Sequence, residues 1–155
     1  SSSSLILSAL PIAASPFTDN ADGTVTDQKT NLIWQKCSMG YNSDSACSED
    51  VTGAGNNTAT WANALTYCNM LTLAGKSAGS WRLPNVNELK SLVDETKSNL
   101  SIDMASFPAT VASYYWSSST YVGSTTFAWN VLFGPGNVLL NGKTNAFYVR
   151  CVSGP

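Results

Sequence analysis

The chain has 155 residues, 43% of them hydrophobic and only 12% charged, with a net charge of −2. That length and apolar content suit one domain with a single good core. The absence of any basic cluster argues against nucleic acid, heparin-like polyanions and anionic membranes as main partners. There is no His, which removes the commonest general base and the commonest metal ligand together. Solubility must come from Ser, Thr, Asn and Gly, a surface more typical of secreted or displayed proteins than of cytosolic enzymes.

The opening SSSSLILSALPIAAS carries an apolar run from Leu5 to Ala14. It is too short to span a bilayer and has no basic flank, so residues 1–16 read as an arm or the remnant of a longer chain. Any membrane link would then be an N-terminal anchor outside this chain. The single domain is expected over 17–155.

FTDNADGTVTDQKTNLIWQK reads as strand, turn, strand, with Asp22-Gly23 as a hairpin signal. A calcium loop fits poorly there. With Gly23 at the sixth position of an EF-hand loop, Thr18 stands first and Lys29 twelfth, and both are wrong ligands. From Cys37 to Thr60 the residues are those of a long loop. Cys37 and Cys47 are near enough in sequence to close a small ring within it.

WANALTYCNMLTLAG places Trp61, Ala64, Leu65, Cys68 and Leu71 on one helical face, with Thr60 as cap and Gly75 as stop. A second helix follows Pro84. Asn85 and Glu88 form a capping-box pattern, and Val86, Leu89, Leu92 and Val93 form its apolar stripe. Arg82 is expected to hydrogen-bond nearby carbonyls.

From Tyr114 the period changes to two. Trp116 opens the pattern, and Phe127, Trp129, Val131 and Phe133 share a strand face opposite Ala128, Asn130 and Leu132. Gly134-Pro135-Gly136 and Asn141-Gly142 read as turns, and the chain ends on Phe147–Val152. The order hairpin, helix, helix, antiparallel sheet predicts an α+β domain.

Catalysis has little to stand on. Without His, Ser-His-Asp and Cys-His arrangements cannot form. The carboxylates available for glycoside chemistry are Asp94, Glu95, Asp103, Glu49 and Asp50, none in an aromatic setting that would raise a pKa. No glycine group leads from a strand into a helix as a phosphate cradle. The expectation is no enzyme, no cofactor and no metal. The stretch Ser113–Phe133 instead mixes Tyr, Trp and Phe with Ser, Thr, Gly and Asn, the residue types of antibody paratopes. By parity, Trp116, Trp129, Val131 and Phe133 read as core. The candidate ligand-binding residues are Ser119, Thr120, Tyr121, Thr125, Asn130, Leu132, Leu139, Leu140, Asn141 and Asn145.

The blocks DNADGTVTDQKTNLIWQK, GSWRLPNVNEL, YYWSSS, AWNVLFGPGNV and YVRCV resemble the DUF1566 family, domains similar to the C-terminal domain of the Legionella collagen-like adhesin. The resemblance implies a C-type-lectin-like fold. It also implies a disulfide from the first helix to the last strand, Cys68 with Cys151, which leaves Cys37 with Cys47. The EPN, QPD and WND motifs of calcium-dependent sugar sites are absent, and AWNV copies only part of one. The C-terminal segment further resembles the variable region of a diversity-generating retroelement target. Adenine mutagenesis there turns AAY codons into NNY, which cannot encode Trp, Met, Gln, Glu or Lys. From Ser117 to Tyr148 only Trp129 and Lys143 are of excluded types. The implied function is recognition of a protein or glycan ligand on a cell surface by a secreted or surface-displayed bacterial domain. The alternative is a fixed-specificity adhesin for glycans or a host surface.

Overall fold

A computed structural model describes residues 15–41, 45–48 and 57–155. Of the expected arm only Ser15 and Pro16 lie among these, and both are tied to the domain. Ser15 Oγ donates to Asp103 Oδ2 at 3.1 Å, and the Pro16 carbonyl accepts the Gln28 N–H at 2.8 Å.

The N-terminal hairpin forms as its residues predict. Strand β1 (Phe17–Asp19) pairs antiparallel with β2 (Thr24–Asp27), and β3 (Ile33–Gln35) follows. Gly23 takes φ 87°, a conformation that costs other residues a steric penalty. Asp22 accepts both the N–H and the hydroxyl of Thr24 to fix the turn.

Helix α1 spans Trp61–Met70, and the Thr60 side chain accepts from the Asn63 N–H. It stops short of Gly75, which instead closes a separate 3-10 turn at Leu73–Gly75. Strand β4 (Trp81–Arg82) leads through Pro84 into α2, Val86–Lys90. The capping box is complete, with Asn85 and Glu88 each satisfying the other's backbone N–H. Leu92 and Val93 of the expected stripe lie beyond this short helix. Arg82 does more than reach carbonyls: both its terminal nitrogens meet the Glu88 carboxylate at 2.6 Å. The box carboxylate is thus also an ion-pair partner, which fixes β4 to α2.

Strands β5 (Tyr114–Thr120), β6 (Phe127–Leu132) and β7 (Asn137–Gly142) form a three-stranded antiparallel sheet. The chain end does not extend this sheet as an added strand. Tyr148 makes one bridge to Tyr115, and β8 (Val152–Ser153) enters the other sheet between β3 and β4. The five-stranded order β1-β2-β3-β8-β4 therefore brings both ends of the domain together. Two disulfides, Cys37–Cys47 and Cys68–Cys151, fasten this α+β arrangement.

The three-stranded sheet lies between two cores. One gathers Leu89, Leu92, Phe107, Tyr115, Val131 and Phe133. The other gathers Ala64, Cys68, Trp81, Trp116, Ala128 and Cys151, with Phe147 packed against it.

Candidate functional site

Register decides which candidate residues meet. On one face of the sheet, Trp116, Asn130 and Leu139 form a row; Tyr114, Leu132 and Asn137 form the next. Thr120, Ala128 and Asn141 lie in a third row, across an irregularity in β5. On the other face stand Tyr115, Val131 and Val138, and farther along Trp129 beside Leu140. The ten sequence candidates are thus divided between two faces and two loops.

Parity separates the residues correctly but misassigns which side is covered at the distal end. Asn130, expected on the binding face, is wholly buried. Its Oδ1 accepts from Asn141 Nδ2 at 2.5 Å, and its own Nδ2 has no partner. Trp129, expected as core, belongs to neither core and is only partly buried, and Phe127 is 41% exposed. The physical reason lies outside the strand. Trp116 and Ala128 belong to the second core, so that face is covered along its length near Asn130. The α2 side joins the opposite face only at the Val131–Phe133 end and leaves Trp129 and Phe127 beyond it.

The irregularity in β5 has its own anchors. Between Trp116 and Thr120 the strand bulges, and Ser118 N–H donates to the Pro84 carbonyl at 2.7 Å. Ser119 Oγ accepts the Val86 N–H at 3.0 Å, so this candidate holds α2 in place. Ser117 Oγ donates to the Trp129 carbonyl at 2.6 Å. The WRLPN segment therefore seats the start of the β5–β6 hairpin.

Past the bulge, Tyr121 presents its ring edge-on to Trp129, centroids 5.8 Å apart and planes at 90°. Its N–H donates to the Phe127 carbonyl and closes the hairpin. A Cβ at Gly123 would lie 2.5 Å from the far end of the Tyr121 ring, so a side chain there would displace the ring. Val122 at the tip is 98% exposed. Among the described residues, the exposed large hydrophobics are Met70, Val122 and Phe127, so two of the three sit on this hairpin. Tyr121, Phe127, Trp129 and Leu140 thus form an aromatic platform, with Thr125 exposed in the adjoining loop. Phe127 and Trp129 escaped the sequence reading because alternation alone cannot say how far a helix covers a face.

The platform is uncharged. No charged residue occurs from Met104 to Gly142. The next cation, Lys143, is engaged: its Nζ donates to Thr120 Oγ1 at 2.9 Å and lies 3.8 Å over the Trp61 ring. Asn145 is exposed in the following loop, where its side chain donates to the Gly142 carbonyl.

The acidic groups do other work. A depression of about 550 Å³ is lined by Phe17, Asp27, Asp94, Glu95 and Asp103 among others. Asp94 takes the N–H and hydroxyl of Thr96, and these hydrogen bonds hold its carboxyl below the usual range. Asp103 takes Ala105 N–H and Ser106 Oγ. Both are turn-building carboxylates. Glu49 and Asp50 lie outside the described residues. Among the described residues no group of three His, Cys, Asp or Glu side chains is placed to hold a metal ion.

The scaffold is a disulfide-stapled α+β domain that carries an uncharged aromatic hairpin surface. The chain belongs to the Lcl C-terminal domain family, whose model matches residues 23–153. A search of the curated proteins returns no match. The family makes this a surface adhesin-like domain, and together with the two disulfides it indicates an extracellular location. No helix among the described residues is long and apolar enough to cross a membrane.

Proposed function

We propose that the domain acts by non-covalent recognition, presenting the Tyr121–Phe127–Trp129–Leu140 platform to a protein or glycan on a cell surface. The observation that carries this reading is the charge-free aromatic cluster around exposed Phe127, on a hairpin anchored by the bulge contacts. Rigid aromatic rings give contact area at low entropic cost, and neighbouring Ser, Thr and Asn supply adaptable hydrogen bonds. No catalysis is involved, and the domain is displayed outside a bacterial cell on a C-type-lectin-like scaffold. The helix-to-last-strand disulfide supports that scaffold.

Labelled protein on a glycan array and on intact cells tests the reading. Retention is expected to persist in high salt and to fall in Phe127→Ser. Binding that high salt abolishes would point to a charged site elsewhere.

A finer reading is that the surface is diversified, as in the variable proteins of retroelement systems. Thr120, Tyr121, Thr125, Leu132, Leu139, Leu140 and Asn145 are all at least partly exposed, and all are types that NNY codons encode. Trp129 is an excluded type and would be the fixed anchor among changing neighbours. Sequencing sibling loci tests this: changes confined to those positions support it, and uniform conservation there refutes it.

A further inference from the structure

The edges of the two sheets differ. In the five-stranded sheet, edge strand β1 has three residues and carries Asp19, ion-paired to Lys36 at 2.7 Å. The other edge, β4, has two residues and carries Arg82. Short, charged edges of this kind are protected against pairing. Strand β7 is the opposite case. It is six residues long, NVLLNG, with no charge, no proline and no irregularity in its pairing with β6. Among the described residues nothing pairs with its outer side.

The phase of its hydrogen bonds is fixed. Lys143 N–H donates to the Thr126 carbonyl at 2.9 Å, so by antiparallel alternation Asn141, Leu139 and Asn137 bond to β6. The backbone N–H and C=O of Val138 and Leu140, and the N–H of Gly142, therefore point outward. The Gly142 carbonyl is taken up by Asn145, accepting from both its N–H and its side-chain Nδ2, so Gly142 offers only its N–H to a partner strand.

We propose that β7 pairs with β7 of a second copy, antiparallel and centred on Leu140, to make a continuous six-stranded sheet. The register closes on itself. Leu140 faces Leu140 of the second copy as a hydrogen-bonded pair, and Val138 faces Gly142. Lys143, the one charged residue near the edge, faces Asn137, so no like charges meet. Leu140 lies on the Trp129 face, so the two aromatic platforms join into one surface across the two-fold axis. Among the described residues each copy has one such edge, so the assembly stops at two. This inference goes beyond the recognition reading and does not depend on it.

Sedimentation across a micromolar-to-millimolar concentration series tests it, together with residue-resolved amide exchange. The mass is expected to double from that of the 16.4 kDa chain. The Leu140 and Gly142 amides should become protected as it does, while Leu139 and Asn141 are protected throughout. Leu140→Lys places two ammonium groups at the axis and should hold the protein monomeric with an unchanged circular dichroism spectrum. A monomer at every concentration, open-ended association, or a dimer whose Leu140 amide still exchanges freely would each overturn the proposal, and the exchange result requires no variant. An edge used instead by an unrelated extended peptide would leave the chain itself monomeric and fall in the first of these outcomes.

Discussion

Replacing Arg150 tests the reasoning about the core most sharply. Its guanidinium is buried to 1% exposure and, among the described residues, has no carboxylate beside it. Nη1 donates to the Gln35 carbonyl at 2.8 Å and to the Lys36 carbonyl; Nη2 donates to Thr110 Oγ1 at 2.8 Å and Ser38 Oγ at 3.3 Å. The group also lies 4.8 Å over the Phe107 ring, and burial pushes its pKa down. In Arg150→Met, Ser38 keeps its bond to Tyr115 and Thr110 its bond to the Phe107 carbonyl. The two carbonyls lose their charged donor, at roughly 1–3 kcal/mol for each group left unsatisfied. Removing the desolvated charge, whose Nε has no partner, offsets part of that. The net loss is expected at about 2–4 kcal/mol. A Tm drop of roughly 2–4 °C per kcal/mol follows for a domain of this size. Arg150→Lys should be worse than Met, because it leaves a buried charge that a single point donor cannot share among four acceptors. Thermal and urea denaturation of the three proteins checks the order wild type, Met, Lys. A Lys variant as stable as wild type would refute the account, since charge alone would then suffice.

Replacing both cysteines of the Cys68–Cys151 bridge by Ser should cost more than replacing Cys37 and Cys47. The chain-entropy model gives about 4.6 kcal/mol for the 83-residue separation against about 2.7 kcal/mol for the 10-residue one, and urea denaturation of the two double variants measures the difference. Acid should destabilise the domain in a defined window. Burial alone would raise the Glu88 carboxyl, but the Arg82 pair and the Asn85 N–H outweigh it and hold the carboxyl below the ordinary glutamate range. Asp19 is lowered by its hydrogen bond to Lys36. A depressed folded pKa gives stability that is full above the unfolded value and lost as pH falls through the folded one. Stability should therefore be flat above about pH 5 and fall below about pH 4, and Glu88→Gln should make that fall shallower in a pH series of melts.

Much of the scaffold was legible because its signals are local. Asp22-Gly23, the Asn85–Glu88 box and the Thr60 cap each act within a few residues, and each is present as read. The strand pattern of Phe127–Leu132 was equally plain. Its partners were not: nothing in Phe147–Val152 says that β8 joins β3 and β4 rather than β5. The same gap inverted the site. Alternation separated Asn130 from Trp129, yet burial of one and exposure of the other depend on where α2 ends and where Phe147 packs. Arg150 escaped notice for a related reason, since its partners at Gln35, Lys36, Ser38 and Thr110 are 40 or more residues away.

The central claim is that the distal end of the hairpin face, around Phe127 and Trp129, recognises a ligand while the buried residues of both faces hold the fold. The direct measurement is cell or array retention alongside melting temperature for Trp129→Ala and Trp116→Ala. Trp116 is wholly buried, donates to the Ala59 carbonyl at 2.8 Å and packs on Phe147 at 4.8 Å. Its loss should cost roughly 3–5 kcal/mol. Trp129, partly buried and outside both cores, should cost less, about 2–3 kcal/mol, since part of its surface stays in water on folding. The account predicts a Trp129→Ala protein that still folds, melts above Trp116→Ala and no longer binds. Undiminished binding by that protein, or its failure to fold, would contradict it.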